Sequence, residues 1–252
     1  MDPAATTTDS PHDDRVWWKR TWTLGWDDAR SFGTAFVAVV AVFSAVGWLL
    51  YRIGGDNSLI DADERVTNWF VDRRTDARTD VATWGAHLAD TIVKVALTAI
   101  VAALMLRAWR RWREALLVIV TLTFEASAFI ATSYIVSRPR PDDQLVSSPV
   151  DNSFPSGHVA AATVYAAFAV IVFWHTRAVW ARALAVVLSA LVPLIVAVAR
   201  VYQGMHYLSD VVAGVVLGIV SLVICTRLIG APPDALSTPL GERRARANDT
   251  PD

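Results

Sequence analysis

The chain has 252 residues, 54% apolar and 19% charged, with a formal net charge of −1 and a mean hydropathy of +0.38. A soluble domain carries about 25% charged residues, and here the apolar excess lies in long runs almost free of charge, which excludes an ordinary soluble enzyme and a disordered chain. The near-zero charge excludes a strongly basic nucleic-acid binder, and the single cysteine, Cys225, excludes an internal disulfide and a cysteine-based zinc site.

Residues 1–31 are polar, acidic and rich in Ser, Thr and Pro, which is not the pattern of a signal peptide. A membrane helix needs about 20 mostly apolar residues, and the first such run is 32–51. The connection 53–88 is too long for a simple link. Val66, Trp69, Phe70 and Arg73 fall at helical spacing, as do Val81, Trp84 and Leu88, predicting one or two amphipathic helices on the membrane surface or capping the bundle. Further runs follow at 89–106, which contains Lys94, at 114–136, with Glu125 near its middle, and at 158–175, 183–201 and 210–229. Glu125 is expected to face the bundle interior, protonated or paired, because a charge at that depth is costly. Pro193 is expected to kink the fifth run, and Gly214 and Gly218 to permit close helix packing in the sixth. The sequence therefore predicts an all-α fold: a polar arm at 1–31, a bundle of six transmembrane helices over 32–229, and a disordered polar tail at 230–252.

Orientation follows from the cations that flank the spans. Fourteen lie on the side of both termini and eight on the other side, predicting cytoplasmic termini and extracytoplasmic first, third and fifth connections. The last two of these connections carry the chemistry. One reads Ser137-Arg138-Pro139-Arg140-Pro141 and closes with Phe154-Pro155-Ser156-Gly157-His158; the other carries Arg200, His206 and Asp210. Arginine alone fits a snorkelling ring, but two histidines and an aspartate at the same ends of helices three to six fit a phosphate site. Arginine grips phosphate oxygens with a planar fork of donors. Ser156 and Gly157 open a helix whose N-terminus favours an anion. His206 and Asp210 are four apart, so the carboxylate can hold one ring nitrogen protonated and leave the other to attack, while His158 protonates the leaving oxygen. Spacing alone does not decide which histidine attacks; Asp210 favours His206.

These residues resemble the type 2 phosphatidic acid phosphatase family, the lipid phosphate phosphatases, which share a core with vanadium haloperoxidases and bacterial acid phosphatases. The three family blocks match at Arg140-Pro141, at Pro155 to His158, and at Arg200, His206 and Asp210, in order and at the family spacing. The resemblance implies an integral-membrane lipid phosphate or diphosphate phosphatase that works through phosphohistidine at His206, supported by Asp210, with His158 as the acid. It implies Arg140, Arg200, Ser156 and Gly157 as phosphate ligands, with no metal and no cofactor. Substrates in that class are phosphatidate, phosphatidylglycerol phosphate and undecaprenyl diphosphate, met within the bilayer at the outer face; no nucleic-acid partner is expected, and the oligomeric state is open. A phosphotransferase with an alcohol acceptor and a non-catalytic lipid-phosphate binder or transporter are the alternatives. Two positions depart from the pattern: Ser133 replaces the family lysine and Ala199 the serine before the third-block arginine. Arg138, on the same loop as Arg140, is expected to supply the missing cation at the phosphate, with Lys94 read as snorkelling outward.

Overall fold

The computed structural model describes residues 26–53, 58–107, 111–147, 151–232 and 235; the arm expected at 1–31 and the tail expected at 230–252 lie largely outside them. Helix α1 (Trp26–Trp48) starts before the predicted run because Asp27 and Asp28 fill its first turn, where the helix dipole favours acids. It closes in a π turn over Leu49–Ile53. The long first connection forms two helices, α2 (Ser58–Val71) and α3 (Asp76–His87), the second capped by the Thr75 hydroxyl, which accepts the Arg78 N–H at 3.4 Å. The packed cap is what α3 forms. Its Ala82, Gly85 and Ala86 are buried, with Gly85 against Ile195 and Ala199, while Val81 and Trp84 on the opposite face are 72% and 76% exposed.

A bend of 41° joins α3 to α4 (Thr91–Arg107), the second predicted span. Its 17 residues reach about 26 Å, the short end for a bilayer core. Asp90, Lys94, Thr98 and Ala102 recur every four residues, and Thr98 and Ala102 are buried. Lys94 therefore lies on the bundle-facing side of α4 and does not snorkel outward. Helix α5 (Trp112–Val136) carries the buried Glu125 toward the interior, as expected, with both carboxylate oxygens lacking a hydrogen bond. Lys94 is the charge that acts on it, from beyond ion-pair distance.

The predicted fourth span is two helices, α6 (Gly157–Val164) and α7 (Ala166–His175). The ladder tightens at Tyr165, where Tyr165 N–H bonds the Ala162 carbonyl and Phe168 N–H the Tyr165 carbonyl, and the Tyr165 hydroxyl bonds the Leu88 carbonyl at 3.0 Å. Helix α8 (Val179–Tyr202) continues through Pro193, and α9 (Leu208–Ile229) completes the bundle. Among the described residues, five segments are long and apolar enough to cross a membrane, and the bent α3–α4 pair makes a sixth when its two helices are counted as one span; the one strand-like feature is an isolated bridge between Pro139 and Asn152. The protein is a multi-pass, all-helical membrane protein.

Helices α5, α6 and α9 form the centre. A Cβ at Gly214 would stand 2.5 Å from the Ser156 carbonyl and one at Gly218 2.6 Å from that of Ala160, so both glycines let α9 touch the backbone of α6. That contact, together with the C-terminal ends of α5 and α8 and the N-terminal ends of α6 and α9, puts both motif-bearing loops at one end of the bundle.

Candidate active site

His206 lies in the turn between α8 and α9 and is 2% exposed. Its Nδ1 is 2.7 Å from the backbone carbonyl of Ser153. A carbonyl only accepts, so Nδ1 carries the hydrogen and Nε2 keeps a lone pair. Arg140 Nη1 faces that Nε2 at 3.3 Å while also donating to the Met205 carbonyl at 2.5 Å. Burial, reinforced by the charges of Arg140 and Arg200 and by His158, holds His206 well below the ordinary imidazole value, so its ring is neutral at neutral pH. The Ser153 carbonyl is held in place by its own loop: Ser153 N–H bonds the Arg138 carbonyl at 2.8 Å, and its hydroxyl bonds that of Pro139 at 3.0 Å.

Asp210 does not make the direct bond that its spacing suggests. Its Oδ2 is 3.9 Å from His206 Nδ1 and instead accepts the Tyr207 N–H at 2.9 Å, capping α9 as its third residue. Its Oδ1 accepts Arg138 Nη1 at 2.7 Å. The helix cap and the arginine outcompete the imidazole for the carboxylate, and the Ser153 carbonyl takes over the job of fixing the tautomer.

Arg138 is likewise turned away from the phosphate position expected for it. Its Nη1 also donates to Ser209 Oγ at 2.7 Å and its Nη2 to Asp63 Oδ2 at 2.9 Å, and its guanidinium lies 4.1 Å over the Tyr207 ring. Asp63, on α2, accepts the Ser209 N–H at 2.9 Å and the Ser209 hydroxyl. Against the burial that disfavours its charge, Asp210 and Asp63 hold Arg138 above the ordinary guanidinium value. Arg138 is thus the centre of a buried clamp tying α2 to the start of α9.

The remaining predicted residues do converge. His158, second residue of α6, has Arg200 Nη2 at 2.9 Å from Nδ1 and 3.0 Å from Nε2; Arg200 Nη1 donates to Gln203 Oε1 at 3.1 Å. Ser156 occupies the N-cap position of α6, as expected, but its fully buried hydroxyl bonds nothing. Its own N–H is engaged with the Asp210 carbonyl at 3.0 Å, so the donors left without a partner at this helix end are the hydroxyl and the first-turn N–H groups of α6, a set suited to an anion. A Cβ at Gly157 would stand 2.8 Å from the Phe129 ring, so only glycine fits there. Arg200 Nε is also buried without a partner. Ser133 is buried on α5 with an unbonded hydroxyl and brings no charge. Among the described residues, no group of three His, Cys, Asp or Glu side chains is arranged to hold a metal.

The site can therefore offer a neutral buried imidazole nitrogen, a second imidazole, two arginines and a helix N-terminus around one point. Sequence reasoning missed Ser153, whose contribution is a backbone carbonyl and leaves no trace in residue type. It missed Asp63, although the acid on the buried side of an amphipathic helix was a signal. It also missed Asp90, whose Oδ1 lies 3.3 Å from His158 Nε2 and whose Oδ2 lies 2.5 Å from Nδ1 of the exposed His87.

Comparison with known proteins bears on the same residues. Residues 114–232, which include all three blocks, match the PAP2 superfamily. The chain is 28% identical over 165 residues to phosphatidylglycerophosphatase B of Bacillus subtilis (strain 168), covering 65% of this chain and 81% of that one. The crystal structure of a transmembrane PAP2-type phosphatidylglycerolphosphate phosphatase from Bacillus subtilis superposes with a TM-score of 0.67 at 24% identity, covering 76% of this chain and 94% of that one, and supports the bundle fold. Aquifex aeolicus LpxE superposes with a TM-score of 0.49 at 21% identity, covering 65% of this chain and 93% of that one.

Proposed function

We propose that the chain, whose residues 114–232 match the PAP2 superfamily, is an integral-membrane phosphatase of that family that removes the terminal phosphate from a lipid phosphate or diphosphate. The observation that carries this reading is the state of His206: buried, neutral, with Nδ1–H on the Ser153 carbonyl and Nε2 facing Arg140. Such a nitrogen is a nucleophile without prior deprotonation.

In the first step His206 Nε2 attacks phosphorus, the bond from phosphorus to the leaving oxygen breaks, and His158 gives that oxygen its proton. In the second step water attacks the phosphohistidine, His158 takes the water proton, and the phosphorus–nitrogen bond breaks to return neutral His206. Arg140, Arg200, the Ser156 hydroxyl and the N–H groups of Gly157 and His158 hold the phosphoryl oxygens; charge-assisted bonds of this kind are each worth about 1.5–3 kcal/mol. Asp210 and Arg138 act behind this layer and keep the His206 turn in place.

A lipid tail also has a place. An apolar groove of about 1320 Å³ runs between α7, α8 and α9, lined by Val186, Pro193, Ala197, Val201, Leu208 and Val215. Its Val201 and Leu208 end adjoins the connection that carries His206, so a head group in the site leaves its chain beside the groove. The excess of flanking cations on the side of the termini supports an extracytoplasmic position for this end of the bundle. Phosphatidylglycerol phosphate leads the candidate substrates, since the relative at 28% identity is named for that activity.

The test is phosphate release by the purified protein from phosphatidylglycerol phosphate, phosphatidate and undecaprenyl diphosphate, with and without EDTA. Release from at least one of them, unchanged by EDTA, is expected. Binding of all three with no release contradicts a phosphatase, and phosphate appearing on an added alcohol in place of water makes the protein a transferase.

A further inference from the structure

The residue behind His158 belongs to none of the three motif blocks. Asp90 stands at the corner between α3 and α4, and its carboxylate bridges two histidines: Oδ1 is 3.3 Å from His158 Nε2 and Oδ2 is 2.5 Å from His87 Nδ1. The corner is anchored on two sides. The Tyr165 hydroxyl, at the α6–α7 junction, bonds the Leu88 carbonyl at 3.0 Å, Ala89 is fully buried, and Gly85 packs on Ile195 and Ala199 of α8. Asp90 thus reaches His158 from a fixed backbone.

Its position before α4 suggests a plain helix cap, but the bonds say otherwise. The Asp90 carbonyl accepts the Lys94 N–H at 2.9 Å, as any first-turn residue does, while the carboxylate bonds only the two histidines among the described residues. Arg200 Nη2 stands 2.9 Å from His158 Nδ1 and 3.0 Å from Nε2 and so does not distinguish the two nitrogens, but the Asp90 carboxylate, an acceptor only, is within reach of Nε2 alone, which puts the hydrogen on Nε2 and the lone pair on Nδ1. This orientation leaves Nδ1 as the atom able to reach a leaving oxygen.

We propose that Asp90, braced by His87, is the positioning residue of the acid His158, fixing its ring and stabilising its imidazolium form. The proposal rests on the phosphatase reading above. When a phosphoryl group binds, Arg200 moves its donors to the phosphoryl oxygens and frees Nδ1, which takes up a proton while Nε2–H stays on Asp90. Nδ1–H then protonates the leaving oxygen as the phosphorus–oxygen bond breaks, and Nδ1 later accepts the proton of the attacking water. A carboxylate near Nε2 offsets the cations that oppose the charged ring. The groups that face this pair are His87 from α3, Lys94 from α4, Arg200 from α8 and His206 from the α8–α9 turn.

Asp90→Asn tests the role, because asparagine caps a helix as well as aspartate and accepts a hydrogen bond but carries no charge. The measurement is kcat/KM, which reports the step that expels the leaving group, for an alkyl lipid phosphate and for an aryl phosphate whose leaving group needs no acid, each across pH. The variant should lose about 10- to 100-fold on the alkyl substrate and less than about 3-fold on the aryl one. The alkaline limb of its rate profile should move to lower pH, because the acid now loses its proton sooner. Asp90→Glu should recover part of the loss, and His87→Ala should show a smaller version of the same pattern. An equal loss on both substrates with an unmoved limb, or no loss at all, overturns the role of Asp90 while leaving the phosphatase reading intact. A wild-type protein that releases no phosphate overturns the phosphatase reading, and the role of Asp90 with it.

Discussion

Replacing Arg138 by glutamine separates a structural clamp from a phosphate ligand. The side chains of Arg138, Asp63 and Asp210 are 6%, 3% and 0% exposed, and the arginine donates to both acids at 2.9 and 2.7 Å. Removing the cation leaves two buried carboxylates without a counter-charge, which costs about 3–5 kcal/mol where a surface pair would cost about 0–1 kcal/mol. For a chain of this size each kcal/mol lowers Tm by about 2–4 °C, so a fall of roughly 6–20 °C is expected for Arg138→Gln in detergent. KM for the lipid phosphate should stay within about threefold in the protein that remains folded. Asp63→Asn with Arg138→Gln should cost less than the two single changes added together, since they share one interaction. A variant with unchanged Tm but a KM raised tenfold or more would refute the clamp and return Arg138 to the phosphate.

With Arg138 engaged elsewhere, Lys94 on the inner side of α4 is the cation left to stand in for Ser133. Lys94→Met should therefore lower kcat/KM by about 10- to 150-fold and Ser133→Lys should gain little; full activity in the first with a gain in the second contradicts this. His206 resists protonation, so kcat/KM should hold as pH falls through the ordinary imidazole value of about 6.5 and decline only below it; an acid limb centred at that value would show an exposed imidazole. The same difference makes the unfolded chain bind more protons than the folded one below about pH 6.5, so acidification through that range should erode stability, less so in His206→Gln. A cysteine at the exposed Ser147 in a Cys225→Ala background should react with a membrane-impermeant thiol reagent in intact cells, whereas labelling only after lysis reverses the orientation.

What was legible in the sequence was the part written in residue type and period. The apolar runs located the bundle, and the blocks ending in His158 and Asp210 named side chains that the fold gathers at one end. The misses have physical causes. The fourth span crosses as one segment, Gly157–His175, but its ladder tightens at Tyr165, whose hydroxyl bonds the Leu88 carbonyl, a tertiary contact no local pattern announces. Asp210 had two competing uses, an i,i+4 partner for His206 and a cap for α9, and spacing favours neither; the structure shows the cap at 2.9 Å and the histidine at 3.9 Å. Arg138 and Arg140 are two apart on one loop, yet they point to different partners because α2 brings Asp63 to the first and the His206 turn faces the second. Asp63 lies within α2, where its side of the helix was the one signal, and Asp90 stands at the corner before α4, where a solvent-facing acid is the ordinary expectation and only the packed fold reveals otherwise.

The central claim, that His206 Nε2 takes the phosphoryl group, is tested most directly by trapping the intermediate. Protein mixed with a lipid phosphate carrying a radiolabelled terminal phosphate, and quenched within milliseconds in alkali, should hold label that survives base and is released by acid. The label should be absent from His206→Ala and should accumulate in His158→Ala when an aryl phosphate supplies the phosphoryl group, since that leaving group needs no acid while the second step still lacks its base. Label that persists in His206→Ala, or rapid turnover by the wild type with no trapped phosphate, would contradict the account.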